Sequence, residues 1–141
     1  MFKKIFKKKD TQSSNKEDVL ITALLVHAAK IDENYTEVEK NLIKKAIMDL
    51  NSISSDESEK LMLKAEEIEK QSNQIVEFTR EIKKKPMEFR LKVIEILWKI
   101  VYSDGTSDIF ESNLIRRVCG LLYISDRDSG EIKLKLKQNK I

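Results

Sequence analysis

A chain of 141 residues with three Gly, one Pro and 36% charged residues is long enough for one domain with a real core, and favours helices over sheets and turns. One Cys and one His exclude an internal disulfide framework and a Cys/His zinc site within the chain. The net charge of +3 is a property of the amino end: Lys3, Lys4, Lys7, Lys8 and Lys9 against Asp10 give +4 there and leave −1 for the remainder. A basic tail is a weaker sign of nucleic acid than a basic stripe on a folded face, and no nucleic-acid partner is expected.

Residues 1–16 read as a disordered basic tail. Phe2, Ile5 and Phe6 are interleaved with five lysines, but no apolar run follows and Asp10 to Asp18 is polar, so this is not a secretory signal. No stretch approaches a transmembrane span. Two readings stand for residues 1–9: a solubilising end, or weak docking on an anionic membrane surface. In the second, each Lys contributes on the order of 1 kcal/mol and the two Phe and the Ile insert. Both make the protein cytoplasmic, the second also peripheral at the inner face of the membrane.

The folded domain is expected over 17–141. From Glu17, the residues Val19, Leu20, Ala23, Leu24, Val26, His27, Ala28 and Ile31 leave little room for a polar face, so the first helix is central and buried. Thr36 opens a second helix with Glu39 three residues on, a capping-box spacing. Its stripe is Val38, Leu42, Ile43, Ala46, Ile47 and Leu50. Ser54 and Ser55 cap a third, surface helix carrying Leu61, Ala65 and Ile68. A short fourth segment with Ile75, Val76, Phe78 and Ile82 stops before Pro86, which suits the first turn of the next helix. The fifth helix, Met87 to Ser103, is apolar almost all round. Asp108 caps a sixth, with Glu111 three on. A last helix begins near Asp126 to Asp128; Ile132, Leu134 and Leu136 alternate as a strand would, but their charged neighbours favour helix.

The chain also repeats itself. Ala29–Lys45 lies over Val101–Arg117 without a gap, so that Asp32 meets Asp104 and Glu39 meets Glu111. With one residue of slack, Ile53-Ser54 meets Ile124-Ser125. Such repeats fold as like units packed together. The expected fold is all-α, with about seven helices in two helical hairpins related by a pseudo-two-fold axis. The two apolar helices form the middle, and Lys64 to Lys85 crosses between the halves.

Each repeat reads Asp-x-x-x-x-x-x-Glu across a helix–loop–helix corner. In continuous helix the two carboxylates would stand roughly 10 Å apart; a loop that turns the second helix back lets them converge. Two such pairs, Asp32 and Glu39 with Asp104 and Glu111, supply four hard oxygen donors of the kind Ca²⁺, Mg²⁺ or Mn²⁺ takes. Glu33 and Asp108 are further candidate ligands. The alternative is that Thr36/Glu39 and Asp108/Glu111 are capping boxes and the Asp residues only end helices. His27 reads as a core or boundary imidazole bonded to a neighbour, and Cys119 as a small core residue. No catalytic triad, phosphate loop or redox Cys pair is present, so no enzyme is expected.

Leu24-Leu25-Val26-His27-Ala28-Ala29-Lys30-Ile31-Asp32 followed by Glu39, and Leu97-Trp98-Lys99-Ile100-Val101-Tyr102-Ser103-Asp104-Gly105 followed by Glu111 and Leu114-Ile115-Arg116-Arg117-Val118, resemble the tellurite-resistance TerB family, in particular its short stand-alone bacterial members. The resemblance covers about residues 17–137. The first motif departs from the pattern in having Glu33-Asn34 in place of a Gly after Asp32. What the resemblance implies is an all-helical fold of two similar halves, with a metal-binding acidic cluster at Asp32, Glu39, Asp104 and Glu111. Similar domains fused to DnaJ-like modules imply an interaction or sensing role, with an unidentified protein partner.

Overall fold

The computed structural model describes residues 17–31, 35–72, 74–103 and 109–139, the side chains of 109–112 and 139 excepted. The described residues form α1 (17–30), α2 (Glu37–Asn51), α3 (Ser55–Gln71), α4 (Ile75–Thr79), a 3-10 turn (Ile82–Lys84), α5 (Met87–Tyr102), α6 (Ile109–Leu121) and α7 (Asp126–Asn139). They contain no strand. The alternating Ile132, Leu134 and Leu136 therefore lie on a helix, where Ile132 and Leu136 join the core and Leu134 stays exposed.

The two apolar helices are buried nearly all round. Along α1, Val19, Ile21, Ala23 to Val26, Ala28 and Ala29 are buried. Thr22 is buried among them, its hydroxyl donating to the carbonyl of Asp18 at 2.7 Å, so it brings no unmet polar group inside. Along α5 the buried set is Val93, Ile94, Ile96, Leu97, Trp98 and Ile100 to Tyr102. Each large apolar side chain withdrawn from water contributes about 1.5–3 kcal/mol, so these two helices supply much of the driving force. The remaining helices bury one stripe each. On α3 it is Leu61, Met62, Ala65 and Glu69, the last a carboxylate. On α2 the inward line is Glu39, Ile43 and Ile47, at four-residue spacing. Val38, expected on that stripe, is 63% exposed because the line passes through its neighbour Glu39 instead.

The turns joining α2 to α3 and α6 to α7 are built alike. Ser52 and Tyr123 both adopt left-handed backbone, with φ of 53° and 57°. The next amide, Ile53 or Ile124, returns to the carbonyl of Met48 or Cys119 at 3.3 and 2.9 Å, the long bond that closes a helix end. The residue after that caps the following helix: Ser54 Oγ accepts from the Glu57 amide at 3.2 Å, and Ser125 Oγ from the Asp128 amide at 3.1 Å. All three pairs, Ser52 with Tyr123, Ile53 with Ile124 and Ser54 with Ser125, fall where the sequence repeat, with its slack, sets them.

The crossover is shorter than Lys64–Lys85, because α3 continues to Gln71. Pro86 sits one position earlier than expected, as the cap before Met87, with φ −58° and ψ 156°. Its neighbours tie the helix ends together. Lys85 Nζ meets Glu17 Oε2 at 2.6 Å, joining the start of α5 to the start of α1. Arg90 donates to the Lys85 carbonyl at 3.0 Å and to the Leu122 carbonyl at 2.6 Å, satisfying a carbonyl at the end of α6. Helix contacts run α2 on α3, α2 on α5, α4 on α6, and α5 on both α6 and α7.

Candidate functional site

The corner between α1 and α2 is held by a complete capping box. Thr36 Oγ1 accepts from the Glu39 amide at 3.2 Å, and Glu39 Oε1 accepts from the Thr36 amide at 3.0 Å and from its hydroxyl at 3.2 Å. Glu39 is thus positioned by its own first turn, and it is only 3% exposed. Tyr35 adds to the corner by donating its hydroxyl to Glu66 Oε2 at 2.8 Å. Its phenol is pushed well above its ordinary pKa, first by burial, then by the Glu66 hydrogen bond and the negative charges of Glu66, Glu39 and Glu37. Lys40 Nζ lies 4.9 Å over the Tyr35 ring. Among the described residues, the carboxylates of Glu66, Glu39 and Glu37 each act on the phenol as negative charges.

Of the other residues singled out for metal, Asp32, Glu33, Asp104 and Asp108 lie outside the described residues, as does the side chain of Glu111. The backbone of α6 begins at Ile109. Among the described residues, no group of three or more His, Cys, Asp or Glu side chains is placed to hold a metal ion. None of the described helices is long and apolar enough to cross a membrane, and the basic segment 1–9 lies outside the described residues.

His27 is bonded to a neighbour, as expected, and the partner is one the sequence did not single out. Its Nδ1 lies 3.0 Å from Glu69 Oε2, while Lys30 Nζ donates to Glu69 Oε1 at 2.8 Å. Burial acts to raise the Glu69 pKa, but the hydrogen bonds and charges of Lys30 and His27 outweigh it and hold the carboxylate below its usual range. The signal for Glu69 was present: it falls four residues after Ala65 and eight after Leu61, on the buried stripe of α3. These hydrogen bonds fasten α1 to α3.

Cys119 is buried, and burial pushes its thiol pKa up. A hydrogen bond with Ser129 acts the other way and the charge of Asp126 adds to the rise. Ser129 Oγ also accepts from Trp98 Nε1 at 3.0 Å. This is packing chemistry, since a reactive cysteine needs a depressed pKa and access.

One open groove of about 330 Å³ lies between α2 and α5. Leu42, Ala46, Leu50 and Ile96 form its apolar floor, and Lys45, Asp49, Lys92, Glu95 and Lys99 its rim.

In comparison with known proteins, the family model described as tellurite resistance protein TerB matches residues 18–134. No curated protein and no solved structure matches the chain.

Proposed function

Since the chain belongs to the TerB family, we propose that it is a non-catalytic helical module that binds a divalent cation through its acidic corners and acts in a tellurite, metal or stress response. Glu39 carries this reading: a carboxylate set in place by a capping box and nearly removed from water, in a corner that Glu37 and Glu66 also make negative. The residues that would hold the ion are Asp32 and Glu39 with Asp104 and Glu111, and Glu33 and Asp108 are further oxygen donors. An all-oxygen donor set fits Ca²⁺, Mg²⁺ or Mn²⁺. The ion would cross-link two helix–loop–helix corners; Glu39 would then serve the ion and its own helix start together.

Titration calorimetry of the full chain with Ca²⁺, Mg²⁺, Mn²⁺ and Zn²⁺, with melts in metal and in chelator, tests this. We expect heat with one or more of these ions and a higher melting temperature in its presence. At a hundredfold excess over Kd the gain is about 2.7 kcal/mol. Asp104→Asn with Glu111→Gln should remove that gain and keep the fold. Absence of heat together with identical melts would remove the metal reading.

A second reading is favoured by the completeness of the Thr36–Glu39 box, which employs Glu39 without any metal. The chain is then an interaction adaptor: the carboxylates only cap helices, and the basic tail docks on a protein partner or a membrane surface. The double variant would in that case cost about 0.5–2 kcal/mol for a lost cap, whatever the cation.

A further inference from the structure

Two faces that correspond through the repeat differ in what covers them. On α6 and in the turn just after it, Leu114, Val118 and Leu122 are 3%, 0% and 0% exposed. The helix α4 packs on α6, and the Phe78 ring of α4 lies 6.2 Å from His27 of α1. The residues that α4 buries are Ile75, Phe78 and Thr79, spaced i, i+3, i+4. In the register that sets Asp32 on Asp104, the counterparts of Leu114, Val118 and Leu122 are Leu42, Ala46 and Leu50. These three are only partly buried and floor the open α2/α5 groove. The counterpart of His27 in the same register is Lys99, on the rim of that groove. The groove is therefore the counterpart of the α6/α1 side against which α4 packs.

The segment that fills the face in one half is the one that runs directly into the apolar helix of the other, α5. The segment that runs directly into α1 is the amino-terminal one. It carries Phe2, Ile5 and Phe6, with the same i, i+3, i+4 spacing that α4 buries. We propose that the amino-terminal segment seats Phe2, Ile5 and Phe6 in the α2/α5 groove of its own chain, in the place that α4 holds in the other half.

Reach is sufficient. The Lys85–Glu17 contact at 2.6 Å puts the start of α1 beside the start of α5, and Lys92 lies roughly 10 Å further along that helix. Residues 7–16 separate Phe6 from Glu17, and such a stretch spans up to about 33 Å when extended. The rim charges are mixed. Asp49 and Glu95 attract the tail lysines, Lys45, Lys92 and Lys99 oppose them, and Lys99 is drawn toward Glu95 at 3.7 Å. Apolar contact is then what holds the segment, as it is for α4. Seated there, Phe2, Ile5 and Phe6 are withheld from any lipid surface, so groove and membrane compete for the same three side chains.

Methyl-labelled NMR on the full chain tests this. Ring protons of Phe2 and Phe6 should show NOEs to the Leu42, Leu50 and Ile96 methyls. Phe2→Ala with Ile5→Ala and Phe6→Ala should remove these NOEs and shift those methyls, leaving Leu114, Val118 and Leu122 unmoved. In mixed labelled and unlabelled samples no NOE between chains should appear. Absence of the ring NOEs with unchanged methyl shifts overturns the proposal. So does an NOE seen only between chains, which would give the groove to a second copy.

Discussion

The two halves fasten their buried leading helix to their third helix by different chemistry. In the first half, the Glu69 carboxylate of α3 lies between His27 and Lys30 of α1 at 3.0 and 2.8 Å. In the second, Trp98 of α5 donates its indole N–H to Ser129 of α7 at 3.0 Å, and Lys133 lies 4.9 Å over the indole ring. The serine itself belongs to both halves. Ser58, which holds the place of Ser129 in the first half, is also fully buried, but it donates to the Ser55 carbonyl of its own helix at 2.7 Å. Where Val26 stands in the first half, Trp98 stands in the second and brings a donor that needs an acceptor. Where the turns are alike, the fastening is left to individual side chains, and among the described residues the first uses a buried carboxylate and the second an indole N–H.

Truncating the Trp98 ring should have the largest effect. Trp98→Ala removes a large buried ring and should cost about 3–5 kcal/mol in denaturant melts. Trp98→Phe loses mainly the hydrogen bond and should cost about 1 kcal/mol. Glu69→Gln should cost about 2 kcal/mol at neutral pH, less than the 3–5 of a fully buried broken pair, since Lys30 keeps 34% of its side chain in solvent.

That second loss should depend on pH. The folded Glu69 pKa is depressed, so its stabilisation is complete above the ordinary carboxylate range and disappears as pH falls through the folded value. The gap between the native chain and Glu69→Gln should therefore narrow in melts taken from pH 7 down to pH 3. The gap for Trp98→Phe should not follow that course.

An effect of opposite sign sharpens the contrast from the other side. Asp18 in α1 is pushed up to about 6 by burial and by the charge of Glu17, with Lys85 acting against both. A raised carboxyl pKa means that the folded state holds a proton the unfolded state has released. Asp18 therefore costs stability increasingly as pH rises from about 4 to about 6, and the cost is full above that. Asp18→Asn should stabilise the chain at pH 7 by about 1 kcal/mol, a value reduced for partial solvent screening, and by nothing below pH 4.

Local features were legible because their chemistry closes within a few residues. The Thr36–Glu39 box and the Ser54 cap are each decided by side chains reaching three positions along the chain. Val38 was misplaced because it lies four residues before Leu42, on the line with Ala46 and Leu50 that floors the open groove, while the buried line of α2 starts at a carboxylate. Glu69 could be placed on the buried face by spacing, but its partners lie 39 and 42 residues away, and no local pattern names them. The acidic set is described at Glu39 alone, which the capping box places without reference to Asp32, Asp104 or Glu111.

By itself the sequence determined the all-helical class, two buried apolar helices and the caps at Thr36 and Ser54. These follow from the 3.6-residue period and from hydrogen bonds that an element makes with itself. Only the tertiary structure decided that Glu69 joins His27 and Lys30, that Ser129 receives Trp98, and that α4 covers α6 while the α2/α5 groove stays open to the rest of the described chain. Those outcomes turn on which faces meet, and meeting is set by how distant helices share limited apolar surface.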